Sequence, residues 1–186
     1  KYLVELSTID MHLRYLILKM CLDIEHSLCI RLLNLIEENT QEDGYRIIDE
    51  YKIKYPKQYN DMIGRLDRMR STSVAHDLIS KHHPDYPIWI LIELISFGEL
   101  LKFCSLYEEL YNESVYDRKI LNNIRDIRNA AAHSNCLIND LGMRNRPRGT
   151  YSISSINNFL LSIKEISKNT RSKKMRNKTI DCFISL

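Results

Sequence analysis

Glycine and proline are scarce in this chain. Five Gly and four Pro among 186 residues leave few places for sharp turns, which argues against a turn-rich β fold and for helices. No Cys-x-x-Cys pair occurs. Cys21, Cys29, Cys104, Cys136 and Cys182 are scattered and odd in number, so they read as reduced thiols rather than a zinc site or a disulfide framework. His82 and His83 have no cysteine nearby, and no metal is expected there. No signal peptide or membrane span is visible. The longest apolar run, near Ile88–Ile95, is too short and contains Glu93. These absences point to a cytoplasmic protein. Neither sign of charge dominates: a formal net charge of +3 permits a phosphate-bearing partner without demanding one. Internal repeats and low-complexity tracts are missing as well. The chain begins at Lys1 inside a helical pattern, which implies residues upstream.

What is present is a series of amphipathic segments. Ser7 or Thr8 caps a long helix running to about Glu38, with Leu13, Ile17, Ile24, Leu28 and Leu32 on its apolar face. Asp10 and Arg14 are four apart and can pair. A short helix over Tyr45–Lys54 is followed by another opened by Pro56, whose polar side carries Arg65, Arg68 and Arg70. That basic side reads as a solvated face or as a surface for RNA. Ile88 to Tyr111 reads as one central helix, with Gly98 in its middle marking a close crossing and Trp89, Phe97 and Phe103 in the core.

Ile120 to Asn139 organises the rest. Ile120, Ile124, Ile127 and Ala131 recur at helical spacing, and Arg128-Asn129-Ala130-Ala131-Ala132-His133 lies on this stretch. An imidazole titrates near neutrality and can move a proton at a ribose hydroxyl or a leaving oxygen. A guanidinium holds a phosphate through paired hydrogen bonds. Asn129 can orient either partner. This set needs no metal and no cofactor. At roughly 100° per residue, however, Arg128 and His133 project about 140° apart on an ideal helix. Either the helix ends or bends near His133, or two copies meet and share a site. Arg125 on the same helix and Arg144, Arg146 and Arg148 in the following Gly/Pro loop are candidates to grip RNA backbone. Beyond them lie an amphipathic Ser152–Lys168 and a basic run, Arg171–Lys178.

Three blocks carry a resemblance. They are Asp10 to Arg31 with its Asp-x-x-x-Arg, Pro87-Ile88-Trp89-Ile90-Leu91-Ile92-Glu93-Leu94-Ile95-Ser96-Phe97-Gly98-Glu99-Leu100, and Ile127-Arg128-Asn129-Ala130-Ala131-Ala132-His133. In this order they resemble the Abi (abortive infection) family of bacterial phage-defence proteins, within the HEPN superfamily, over about Ser7 to Gly142. The resemblance implies an all-α, HEPN-like helical bundle with additional helices. Residues 1–142 would be the Abi helical domain, and 143–186 a basic loop and C-terminal helices packing on it. It also implies a metal-independent endoribonuclease, homodimeric through the Arg128–His133 helix. Arg128 would bind the scissile phosphate, His133 would act as acid or base, and Asn129 would be the polar residue beside them. Attack by the 2′-hydroxyl would leave a 2′,3′-cyclic phosphate. A protein or RNA regulator, antitoxin-like, is compatible with this reading. Relatives often follow the His with basic and aromatic residues. Here Ser134-Asn135-Cys136-Leu137 follows, which favours a rival reading: a bundle that binds RNA or a protein without cutting.

Overall fold

A computed structural model describes residues 1–139, 141–142 and 154–186. The described residues form helices and connecting turns, with no strand among them, so the chain is all-α. The helices are α1 (Tyr2–Glu38), α2 (Arg46–Lys54), α3 (Pro56–Met69), α4 (His76–His82), α5 (Ile88–Leu94), α6 (Phe97–Tyr111), α7 (Arg118–Ala132), α8 (Ser154–Ser162), α9 (Lys168–Lys174) and α10 (Lys178–Ile184). The chain divides into two compact units. One comprises Lys1–Ile24 with Asp117–Leu186, and the other Glu25–Tyr116.

The Glu25–Tyr116 unit holds the larger aromatic core. Leu28, Leu32, Ile47, Tyr51, Leu66, Ile79, Ile88, Leu91, Phe97, Phe103 and Tyr107 are all buried. Burying one such side chain contributes roughly 1.5–3 kcal/mol before the cost of ordering it. Tyr51 of α2 stacks on Phe103 of α6, with ring centroids 4.4 Å apart. Its hydroxyl is buried with no hydrogen-bond partner, and burial pushes its pKa up to about 12. Pro56 opens α3 at its first turn, where its missing N–H costs nothing.

Several expectations are corrected. The long first helix starts at Tyr2, and neither Ser7 nor Thr8 caps it. The Thr8 hydroxyl instead donates back to the Val4 carbonyl at 3.0 Å, inside the helix. The run Ile88–Tyr111 is two helices, not one. Ser96 breaks it with a capping box: its side chain accepts from the Glu99 N–H, and the Glu99 carboxylate accepts from the Ser96 N–H at 2.7 Å. Gly98 therefore lies in the first turn of α6 rather than mid-helix. Trp89 is 47% exposed and leaves the core to Phe97 and Phe103. Its indole covers Gly44, whose φ of +82° suits glycine and whose missing Cβ leaves room for the ring.

In the other unit, α10 docks on α7 through a buried polar contact. The Asn123 amide donates to Asp181 at 3.1 Å and to the Ser185 hydroxyl at 3.0 Å, and its oxygen accepts from Lys178 at 3.0 Å. Asn123 is thus a buried polar residue on the apolar side of α7, fully used in joining two helices.

Candidate functional site

Helix α7 opens at Asp117, whose carboxylate accepts from the Lys119 and Ile120 N–H groups. Leu121, Ile124, Ile127 and Ala131 face inward and fix the rotation of the helix. That rotation sets the candidate residues. Arg128 is half-buried at the edge of the apolar stripe, whereas Asn129 and His133 are exposed.

The helix ends at Ala132 with His133 as its C-cap. The termination is a Schellman turn: the Ser134 N–H donates to the Ala131 carbonyl at 3.2 Å and the Asn135 N–H to the Ala130 carbonyl at 3.0 Å. Ser134 adopts φ +58°, the left-handed position usually given to glycine. The His133 N–H still donates to the Asn129 carbonyl at 3.0 Å, so His133 remains on the helical track. The turn comes one residue too late to swing His133 towards Arg128, and the separation of about 140° stands. Asn129 sits with Arg128 rather than with the imidazole: the guanidinium donates to the Asn129 oxygen at 3.4 Å. Among the described residues, no side chain makes a hydrogen bond or ion pair with the His133 ring.

The segment after the turn is held from α1. Asp10, 4% exposed, accepts the Leu137 N–H at 2.7 Å and the Ile138 N–H at 3.2 Å on one carboxylate oxygen. Arg14 Nε lies 3.0 Å from the other oxygen, an ion pair without hydrogen-bond alignment. The Asp10–Arg14 spacing was legible, but its task was not. Leu137 is buried beyond the turn, so the segment carrying His133 is anchored on both sides.

Arg125 is engaged with its neighbour Asp126 at 3.3 Å, and Asp126 also pairs with Lys178 at 2.8 Å. Burial alone would raise the Asp126 pKa, but the Lys178 and Arg125 contacts outweigh it and hold the carboxyl below its ordinary range. Arg144, Arg146 and Arg148 lie outside the described residues. On α3, Arg65 pairs with Glu99 at 2.8 Å, whereas Arg68 and Arg70 are exposed. Two cavities of about 580 and 470 Å³ lie in the Glu25–Tyr116 unit. Glu38 and Glu113 line the first, and Glu37, Glu42 and Asp43 the second. Their carboxylates disfavour a phosphate, and neither cavity includes a residue of α7. No group of His, Cys, Asp or Glu suited to a metal ion occurs among the described residues. No described helix is long and apolar enough to cross a membrane.

A family model described as Abi-like protein matches residues 1–139, a span that takes in α1 to α7 and the turn after His133. No curated protein and no solved structure matches the chain.

Proposed function

From its membership of the Abi-like protein family, which sets the chain in an abortive-infection, phage-defence context, we propose that it is a metal-independent HEPN endoribonuclease. One observation carries this reading. His133 stands exposed at the end of α7, its ring not engaged among the described residues, five positions after a half-buried Arg128. The imidazole is available for proton transfer to or from a ribose 2′-hydroxyl or the departing 5′-oxygen. Arg128, steadied by Asn129, is suited to the scissile phosphate. Asn129 serves as a positioning residue in this scheme.

The angular separation of Arg128 and His133 supports a composite site. Two copies meeting through α7 would bring the His133 of each near the Arg128 of the other, so a homodimer is part of the proposal. Residues 1–142 would form the HEPN-like part, and 143–186 the basic loop and closing helices. Arg125, Arg144, Arg146 and Arg148 remain candidates for RNA backbone. A cytoplasmic setting with RNA as substrate, under a protein or RNA regulator, fits this role.

The test is cleavage of mixed RNA in EDTA by the wild type beside His133→Ala. Cyclic-phosphate ends from the wild type alone are expected. Equal cleavage by the variant would remove His133 from the mechanism.

One observation favours a second reading, a module that binds RNA or a protein without cutting. Ser134 is spent on a left-handed turn and Leu137 on the Asp10 contact, so these positions offer a substrate no cation and no aromatic ring. RNA that co-purifies with the wild type but is never cut would support it.

A further inference from the structure

The charge of this chain is concentrated beyond the family match. Between Lys164 and Lys178 stand Lys164, Lys168, Arg171, Lys173, Lys174, Arg176 and Lys178, against Glu165 alone. The whole chain carries only +3, so everything outside this stretch sums to a negative charge.

The stretch is built into the fold. Ile166 before α9 and Met175 after it belong to one apolar cluster with Ile156, Leu160 and Ile163. The same cluster takes in Ile120 of α7 and Ile184 of α10. The Ser167 hydroxyl caps α9 by accepting the Thr170 N–H at 3.1 Å, and Asn177 caps α10 by accepting the Ile180 N–H at 3.0 Å. Arg176 and Lys178 are engaged within the protein. Lys164, Lys168, Arg171, Lys173 and Lys174 form no ion pair among the described residues. Holding like charges together on a short helix, without counterions among the described residues, costs stability, which a polyanion would restore.

The composition of α9, Lys-Asn-Thr-Arg-Ser-Lys-Lys, selects the polyanion. It has no apolar residue to bury in a bilayer, so it lacks the face of a membrane-surface helix. It has no aromatic residue to stack on bases. It offers cations interleaved with short amide and hydroxyl groups, the set that contacts phosphate and sugar.

We infer that α9 is a sequence-independent grip for the phosphate backbone of RNA. The inference rests on the ribonuclease reading for its choice of RNA. Its anchor at Ile120 is about 20 Å along α7 from His133, so the grip holds substrate away from the reacting atoms.

The experiment follows a fluorescein-labelled oligouridylate by anisotropy, using the full chain with His133→Ala to prevent cutting. In that background Lys168, Arg171, Lys173 and Lys174 are changed together to Gln. Affinity falls at least tenfold, and the slope of log affinity against log salt becomes shallower by about 3, at roughly 0.7 per lost contact. A control changes four exposed lysines outside this stretch, Lys19, Lys52, Lys57 and Lys81, to Gln and leaves both readings unchanged. Should the fourfold variant fail to fold, Lys173→Gln and Lys174→Gln singly each lower the slope by about 0.7. Unchanged affinity and slope, or equal loss in the control, overturns the grip. So does binding to phosphatidylserine vesicles without binding to the oligouridylate. In the cleaving wild type, the α9 changes raise KM and leave kcat. Cleavage with an unchanged KM sinks this inference and keeps the catalytic reading, while α9-dependent binding without any cleavage does the reverse.

Discussion

Asp10 and Leu137 are 127 residues apart in sequence and joined by a buried 2.7 Å hydrogen bond from the Leu137 N–H to the Asp10 carboxylate. The same oxygen takes the Ile138 N–H. The first helix thereby fixes the chain four residues after His133.

Removing that carboxylate should cost more than a surface change. Asp10→Ala leaves two backbone N–H groups without their acceptor and should destabilise the protein by about 3 kcal/mol. Asp10→Asn retains an acceptor oxygen and should cost about half as much. Thermal melts measure both. If the ribonuclease reading holds, RNA cleavage falls with each, because His133 loses its fixed neighbour. A melt unchanged in Asp10→Ala would show that the clamp contributes nothing.

Ser134 sits at a backbone position that glycine occupies without strain. Ser134→Gly should stabilise the protein by roughly 0.5–1 kcal/mol, the left-handed penalty less the added freedom of the unfolded chain. A higher denaturation midpoint with an unchanged m-value is the expected result. A lower midpoint would mean that the Ser134 side chain has a task of its own.

The buried hydroxyl of Tyr51 has no partner and sits on a ring that stacks well. Tyr51→Phe keeps the Phe103 stack and removes an uncompensated polar group. Stability should stay level or rise by about 1 kcal/mol in chemical denaturation. A loss of 2 kcal/mol or more would reveal a hydrogen bond to that hydroxyl.

Acid should weaken the fold through Glu99. Burial alone would raise its pKa, but hydrogen bonds from Arg65 and from the Ser96 backbone and hydroxyl lower it below the ordinary value. A carboxylate with a depressed folded pKa contributes stability in full above its unfolded pKa, about 4.3 for Glu. The contribution disappears as pH falls through the lower folded value. Asp126, held down by Lys178 and Arg125 against its burial, acts in the same direction. Melting temperature should therefore drop as pH falls from about 5 to 3, and Glu99→Gln should flatten that drop. An acid limb of equal steepness in the variant would relieve Glu99 of this role.

How much of this was legible varies with the range of the interaction. The all-helical class followed from scarce Gly and Pro, and the inward face of α7 from Ile124, Ile127 and Ala131. The division of Ile88–Tyr111 was missed because apolar residues run through it without a gap. The signal was local and readable: Ser96 and Glu99 stand at the spacing of a capping box. Asp10 and Leu137 left no such trace, because nothing in either neighbourhood specifies a partner more than a hundred residues away. Asn123 was hidden for a related reason. A polar residue on an apolar stripe reads as a flaw until Asp181, Ser185 and Lys178 are seen to meet it.

Trp89 is the only indole in the chain, and it lies over Gly44 in the Glu25–Tyr116 unit. Nature has thus placed one fluorescent reporter in one half of the molecule. Emission excited in the indole band follows the melting of that half alone, while far-ultraviolet dichroism follows helices in both. Superimposed curves would mean that both units melt in one cooperative event. Separated curves would rank them in order of melting, with no label added.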